Sequence, residues 1–230
     1  MNSSDKFHRI DLLTLYHKLY EYFGPQHWWP ADSPFEVIIG AILTQNTAWK
    51  NVETALNTLK SNRLLTPGQL EKLSHTELSE LIRSSGYYNQ KALKIKAFLE
   101  FFKSGYNYKL SRMAQTTLEE LRRQLLEVHG IGEETADSIL LYAVNKPVFV
   151  VDAYTRRVLS RMGYVPKEIS YKNLKSFCEN SLPKDAALYN EFHALFVRMG
   201  HSICLSKPRC TICPVKNFCQ YYHHNCDNMK

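Results

Sequence analysis

Between Leu126 and Arg157 the chain carries a Gly130-Ile131-Gly132 turn and, twenty residues past Gly132, one carboxylate, Asp152, with Arg156, Arg157 and Arg161 close behind. Glycine reaches positive φ at little cost, so two glycines two apart permit a sharp reversal between helices. The amides that open the second helix have no intrahelical acceptor and carry positive partial charge. They can hold a phosphate oxygen by backbone alone, whatever the base sequence. A carboxylate joined to such a grip can stabilise positive charge on a sugar and orient a water. The combination points to chemistry on DNA. Each part has a plainer reading: Gly-x-Gly also makes ordinary helix–helix turns, and an Asp ahead of a helix is commonly an N-cap.

A second set of reactive side chains lies near the C-terminus. Cys204, Cys210, Cys213 and Cys219 follow the pattern Cys-x5-Cys-x2-Cys-x5-Cys. Short spacings let one loop surround a metal with four thiolates, and zinc and a [4Fe-4S] cluster are both chemically possible. Spacing alone leans towards zinc. Cys178 sits on an apolar helix face and reads as a core thiol, while Cys226 lies in a polar tail. Disulfides are not expected in a reducing compartment.

These residues need a scaffold, and the apolar spacing supplies an all-α one. Three-to-four-residue periodicity predicts helices over 11–22, 34–43, 52–59, 77–82, 91–102, 118–128, 133–144, 154–162 and 186–199. Glycine and proline punctuate the gaps, as at Gly24-Pro25, Thr66-Pro67-Gly68, Gly86 and Pro166. Val148-Phe149-Val150-Val151 is the strand-like run, read here as a buried connector. The 230 residues suit one large domain or two small ones. Lys and Arg exceed Asp and Glu by 29 to 22, a net charge of +7 that favours a polyanionic partner. The longest apolar runs fall far short of the roughly 18 residues a membrane span needs. No secretory pattern opens the chain, so a cytoplasmic location is expected, or a nuclear one in a eukaryote.

Several segments together resemble the helix-hairpin-helix DNA glycosylases of the endonuclease III type. Val128-His129-Gly130-Ile131-Gly132 looks like the family's Leu-Pro-Gly-Val-Gly hairpin, with His129 where proline is usual, and Thr135-Ala136 continues it. Val151-Asp152 matches the catalytic Asp. Leu43-Thr44-Gln45-Asn46 falls where the family has a helix end bearing a DNA-inserting Gln. Gly86-Tyr87-Tyr88-Asn89-Gln90-Lys91-Ala92 resembles its Gly-aromatic-Asn-x-Lys-Ala segment. The four terminal cysteines match its cluster loop, with a first gap one residue shorter than the commonest form. The resemblance spans nearly the whole chain.

It implies a two-domain, all-α fold: a six-helix domain over 27–146 that ends in the hairpin, and a second helical domain of 1–26 and 147–230 with the cysteine loop. It implies a [4Fe-4S] cluster at Cys204, Cys210, Cys213 and Cys219, and a monomer that binds double-stranded DNA holding a damaged base. A base inside a duplex must be rotated out before it is attacked. Gln45 is then the residue that fills the hole and Tyr87 the wedge. Gly130, Ile131, Gly132, Thr135 and Arg156 contact the backbone, and Asp152 is catalytic.

Position 134 separates subclasses. Bifunctional relatives place there a lysine whose amine forms a Schiff base. This chain has Glu134, and a carboxylate forms no imine; Lys146 lies beyond the helix. The expectation is a monofunctional glycosylase with water as nucleophile. Trp28, Trp29, Pro30 and Trp49, with Glu134, resemble the base pocket of the 3-methyladenine glycosylase branch. Electron-rich rings stack well on cationic methylated purines. Trp28 and Trp29 could equally cap the core. The alternatives are a glycosylase for mismatched thymine or uracil or for oxidised pyrimidines, and a protein that only binds damaged DNA.

Overall fold

The computed structural model describes residues 9–225; Cys226 lies outside them. The described chain is helical, with no strand, and divides into two compact units, residues 29–146 and the remainder formed by the segments up to Trp28 and from Pro147.

The 29–146 unit is built around α2 (Pro34–Leu43). Ser33 caps it through the Glu36 amide and Pro34 occupies its first turn, where a missing N–H costs nothing. Every residue from Phe35 to Leu43 is buried, so α2 is apolar all round and must be enclosed. The enclosing helices are α3 (Trp49–Ser61), α6 (Tyr88–Tyr106) and α9 (Glu133–Ser138). Between them run α4 (Pro67–Lys72), α5 (His75–Leu81), α7 (Leu110–Gln115) and α8 (Leu118–Glu127). α4 and α7 have six residues each, too few for a period to show. Pro67 and Gly68, read as punctuation, are the first turn of α4, behind the cap of Thr66. The expected helix over 133–144 changes pitch: Ile139–Ala143 is a π-turn, closed by the Val144 amide on the Ile139 carbonyl at 3.2 Å.

In the other unit, α12 (Ala186–Ser202) packs on α1 (Leu12–Phe23) and α10 (Ala153–Arg161). Phe192 stacks on Phe196 and meets Tyr16 of α1 edge-on. α11 (Tyr171–Asn180) and α13 (Gln220–Asn225) complete the unit. Val148 to Val151 is extended chain with all four residues buried, so it threads the core as a connector. Its Phe149 amide donates to Glu179 at 2.9 Å.

Candidate functional site

α8 ends at Val128, and the chain reverses through Gly130 at φ +80°. A Cβ on Gly130 would lie 2.3 Å from Lys94 Cγ, so both the backbone angle and the close approach of Lys94 demand glycine. Gly132 does not share that angle. It is extended at φ −91°, caps α9, and meets nothing within 4 Å of an added Cβ. One glycine makes the turn; the other leaves the ground before the helix amides bare. Ile131 is 5% exposed, so it faces the core and offers only backbone outward. The two hairpin helices are clamped by Arg122, which donates through Nε to Asp137 at 2.7 Å and through Nη2 at 3.2 Å, and reaches Glu133 at 3.3 Å. Asp137 is fully buried.

Gln45 is tied to this hairpin. Its Nε2 donates to the Gly130 carbonyl and the Thr135 hydroxyl, both at 3.0 Å, and its Oε1 accepts from Lys94. The expected filler is therefore half-buried on its own protein and must leave three hydrogen bonds to enter a helix. Thr135 is 6% exposed and bonded to Gln45, so its side chain faces inward rather than towards a phosphate. Tyr87 is the expected wedge. It is 73% exposed and sits at φ 48°, a left-handed conformation that costs a bulky residue energy and recurs at functional sites.

Trp29 and Trp49 meet edge-to-face at 5.4 Å, and Tyr142, on the π-turn, lies 5.4 Å from Trp29. The Trp29 ring lies so close to α2 that a Cβ on Gly40 would come within 3.3 Å of it. All three rings are half-buried. Sequence reasoning missed Tyr142, because a helix of uniform pitch gives no sign of the π-turn. Trp28 belongs to the other unit, where it is half-buried; Pro30 is exposed. Glu134 is exposed in the first turn of α9. Lys146 is occupied: its Nζ donates to the Ala114 and Thr116 carbonyls at 2.7 Å each.

Asp152 caps α10, its Oδ1 accepting from the Thr155 amide at 2.7 Å. Its Oδ2 lies 3.6 Å from His193 Nε2 of α12, and the two side chains are 13% and 7% exposed. Burial pushes the carboxyl up, but attraction to His193 and the Thr155 hydrogen bonds outweigh it and hold the group below the ordinary carboxylate range. His193 was not anticipated, since one histidine on the apolar face of α12 reads as core.

The arginines after Asp152 do structural work. Arg156 donates to the Ile169 carbonyl. Arg157 bonds the Cys204 and Gly200 carbonyls at 2.8 and 2.9 Å. Arg161 bonds the carbonyls of Leu205 and Ser206, approaches Cys204 Sγ at 3.4 Å, and lies over the Tyr221 ring. Arg157 and Arg161 fasten the cysteine loop to α10, while Arg156 ties α10 to the 169 segment. Cys204, Cys210, Cys213 and Cys219 all line one small cavity of about 20 Å³. Burial pushes the Cys213 thiol up to about 11 and raises that of Cys219. A bound cation would reverse that cost. Among the described residues no three such groups converge as a cage for one ion. A single tetrahedral ion would need its sulfurs about 3.8 Å apart, from bonds of about 2.3 Å. Four thiols lining one space are a donor set that zinc or an iron–sulfur cluster can use.

The hairpin leaves helix amides bare, Tyr87 is exposed, and Asp152 is an acid held below the ordinary carboxylate range. The chain belongs to the HhH-GPD superfamily of base excision DNA repair proteins, whose pattern it matches over residues 39–184. It is similar to a Methanocaldococcus jannaschii protein that provisionally carries the name DNA repair glycosylase, at 45% identity over 94% of this chain and 97% of that one. Endonuclease III of Thermotoga maritima is 32% identical over 82% of this chain and 84% of its own. The crystal structure of an H. pylori 3-methyladenine DNA glycosylase bound to 1,N6-ethenoadenine superposes with a TM-score of 0.71 at 29% identity, covering 83% of this chain and 97% of that one. The fold is endonuclease III-like. No described helix is long and apolar enough to cross a membrane.

Proposed function

We propose that the protein is a monofunctional glycosylase that excises alkylated purines, such as 3-methyladenine and 7-methylguanine, from double-stranded DNA by hydrolysis. The observation that carries the substrate class is the Trp29–Trp49–Tyr142 cluster: aromatic faces attract the positive charge of a methylated purine. Such bases are activated leaving groups, so the site needs no strong general acid. Asp152 stabilises the charge that develops at the sugar and orients water. Glu134 stands where bifunctional relatives of this type carry lysine, and Lys146 is held by two carbonyls, which supports hydrolysis over imine formation. Gly132 and the α9 amides hold a phosphate, Gln45 fills the vacated stack and Tyr87 opens it. Arg156 supports this surface through Ile169 rather than by a free guanidinium.

The cysteine loop would hold a [4Fe-4S] cluster with structural duty: Cys204, Cys210, Cys213 and Cys219 bind it, and Arg157 and Arg161 anchor the loop to the helix that Asp152 caps. Iron and acid-labile sulfide in stoichiometric amounts support this; one zinc per chain replaces it.

The test is an excision panel on duplexes carrying 3-methyladenine, 7-methylguanine, G·T, G·U and thymine glycol. Release of methylpurines with an intact abasic strand is expected. Release of pyrimidines alone overturns the substrate class. A covalent adduct trapped by borohydride overturns the monofunctional assignment.

A further inference from the structure

Lys91 is 2% exposed, yet no carboxylate meets its ammonium. Its Nζ donates to the Leu43 carbonyl at 2.7 Å, the Thr47 hydroxyl at 2.7 Å and the Ser85 carbonyl at 2.6 Å. A lysine has three N–H donors, and all three are used. The acceptors come from two separate places: Leu43 and Thr47, on either side of Gln45, and Ser85 in the turn just ahead of Tyr87. Thr47 closes the triangle by donating to the same Ser85 carbonyl at 2.5 Å. The Lys91 amide bonds the Tyr87 carbonyl at 3.0 Å, inside the residue whose backbone is strained.

We propose that Lys91 is a positioning residue for base eversion: its buried ammonium fastens the 43–47 segment to the 83–87 turn, so that the backbones carrying Gln45 and Tyr87 meet the duplex at one fixed separation. This rests on the glycosylase reading above. Opening a base pair needs a wedge and a filler at the same step of the stack. Two independent loops would each have to find that register, with its own entropic cost. A shared buried cation sets their separation in advance. Burial of the ammonium without a counter-ion is costly, and it depresses Lys91 to about 8, with the like charge of Lys94 on the same helix adding to the effect. A neutral amine keeps only two donors, so one of the three acceptors is released as pH rises past that value. Of the other charged groups on the joined segments, Arg83 on the turn is paired with Glu80 at 3.0 Å, and Lys50 at the start of α3 is exposed.

The test uses stopped-flow fluorescence of a duplex with 2-aminopurine beside 7-methylguanine, with binding to undamaged duplex measured alongside. Wild-type protein that produces no fluorescence change overturns the glycosylase reading itself. With wild-type opening established, Lys91→Met is expected to slow it about tenfold or more, the equivalent of one lost charged hydrogen bond, while undamaged duplex still binds. Thr47→Val, which keeps the shape and removes one corner of the triangle, serves where Lys91→Met does not fold, and is expected to slow opening in the same assay. Wild-type opening should weaken as pH rises through about 8, and the Lys91→Met protein should show no such step. Opening at the wild-type rate in a folded variant, or equal losses in opening and in undamaged-duplex binding, overturns the proposal.

Discussion

Asp152 and Tyr87 stand at opposite ends of one scale. The acid is 13% exposed, bonded to an amide and faced by His193. The ring is 73% exposed and rests on left-handed backbone. A group whose work depends on its charge must have that charge fixed beforehand, and burial among chosen neighbours does so. In the role proposed for Tyr87, the ring must be free to leave its resting place. Its site stores strain instead, and the surrounding fold keeps that strain in place. Gln45 lies between the two: half-buried, polar and bonded to the hairpin until something displaces it.

The buried end of the comparison gives the largest predicted effect. Asp152→Asn keeps an oxygen for the Thr155 amide but loses the negative charge. Excision should fall about 10²–10⁴-fold in single-turnover assays. Affinity for damaged duplex, measured by anisotropy, should persist. Unchanged turnover would remove Asp152 from the chemistry. Because its carboxyl is held below the ordinary range, the stability this acid lends is present above a pH of about 4 and fades only as pH falls through the lower native value. Next in size is the hairpin clamp. Asp137→Ala leaves Arg122 without its buried partner and should cost about 3 kcal/mol in urea unfolding, the low end for a broken pair because Arg122 is 22% exposed. A loss within ordinary surface-substitution scatter would show that the hairpin does not need the clamp. On the aromatic side, Trp49→Ala should lower preference for methylated over normal purine by about 0.5–2 kcal/mol, the range of a cation–π contact, and leave undamaged-duplex binding alone. Equal losses in both would make Trp49 a packing residue.

How far the sequence showed this depends on the scale of each signal. Long helices such as α6 were legible because apolar spacing persists over several turns, whereas α11, ten residues long, was not among those predicted. α4 and α7 were hidden because six residues hold less than two turns, and Pro67-Gly68 looks like an interruption until the cap at Thr66 is seen. Asp152 was singled out by the resemblance, and the structure shows it as the cap of α10. His193 was not, because nothing local ties α12 to α10. The arginines near Asp152 were read by charge, yet Arg157 and Arg161 donate to carbonyls of the cysteine loop, which only tertiary contact reveals. Gly132 was grouped with Gly130 by type; their backbone angles show that one is needed for the turn and the other for openness.

The smallest effect tests the exposed end of the scale most directly. Tyr87→Gly removes a left-handed non-glycine residue, which relieves about 1–2 kcal/mol. The added freedom of glycine in the unfolded chain offsets about 0.4–1 kcal/mol of that. With the ring mostly in solvent, little packing is lost. The variant should therefore be slightly more stable than the wild type in urea while opening damaged duplex more slowly. A structural tyrosine would give the reverse in the first measurement, a less stable protein, and no separate defect in the second. Gain in one quantity with loss in the other is what strain kept for function looks like.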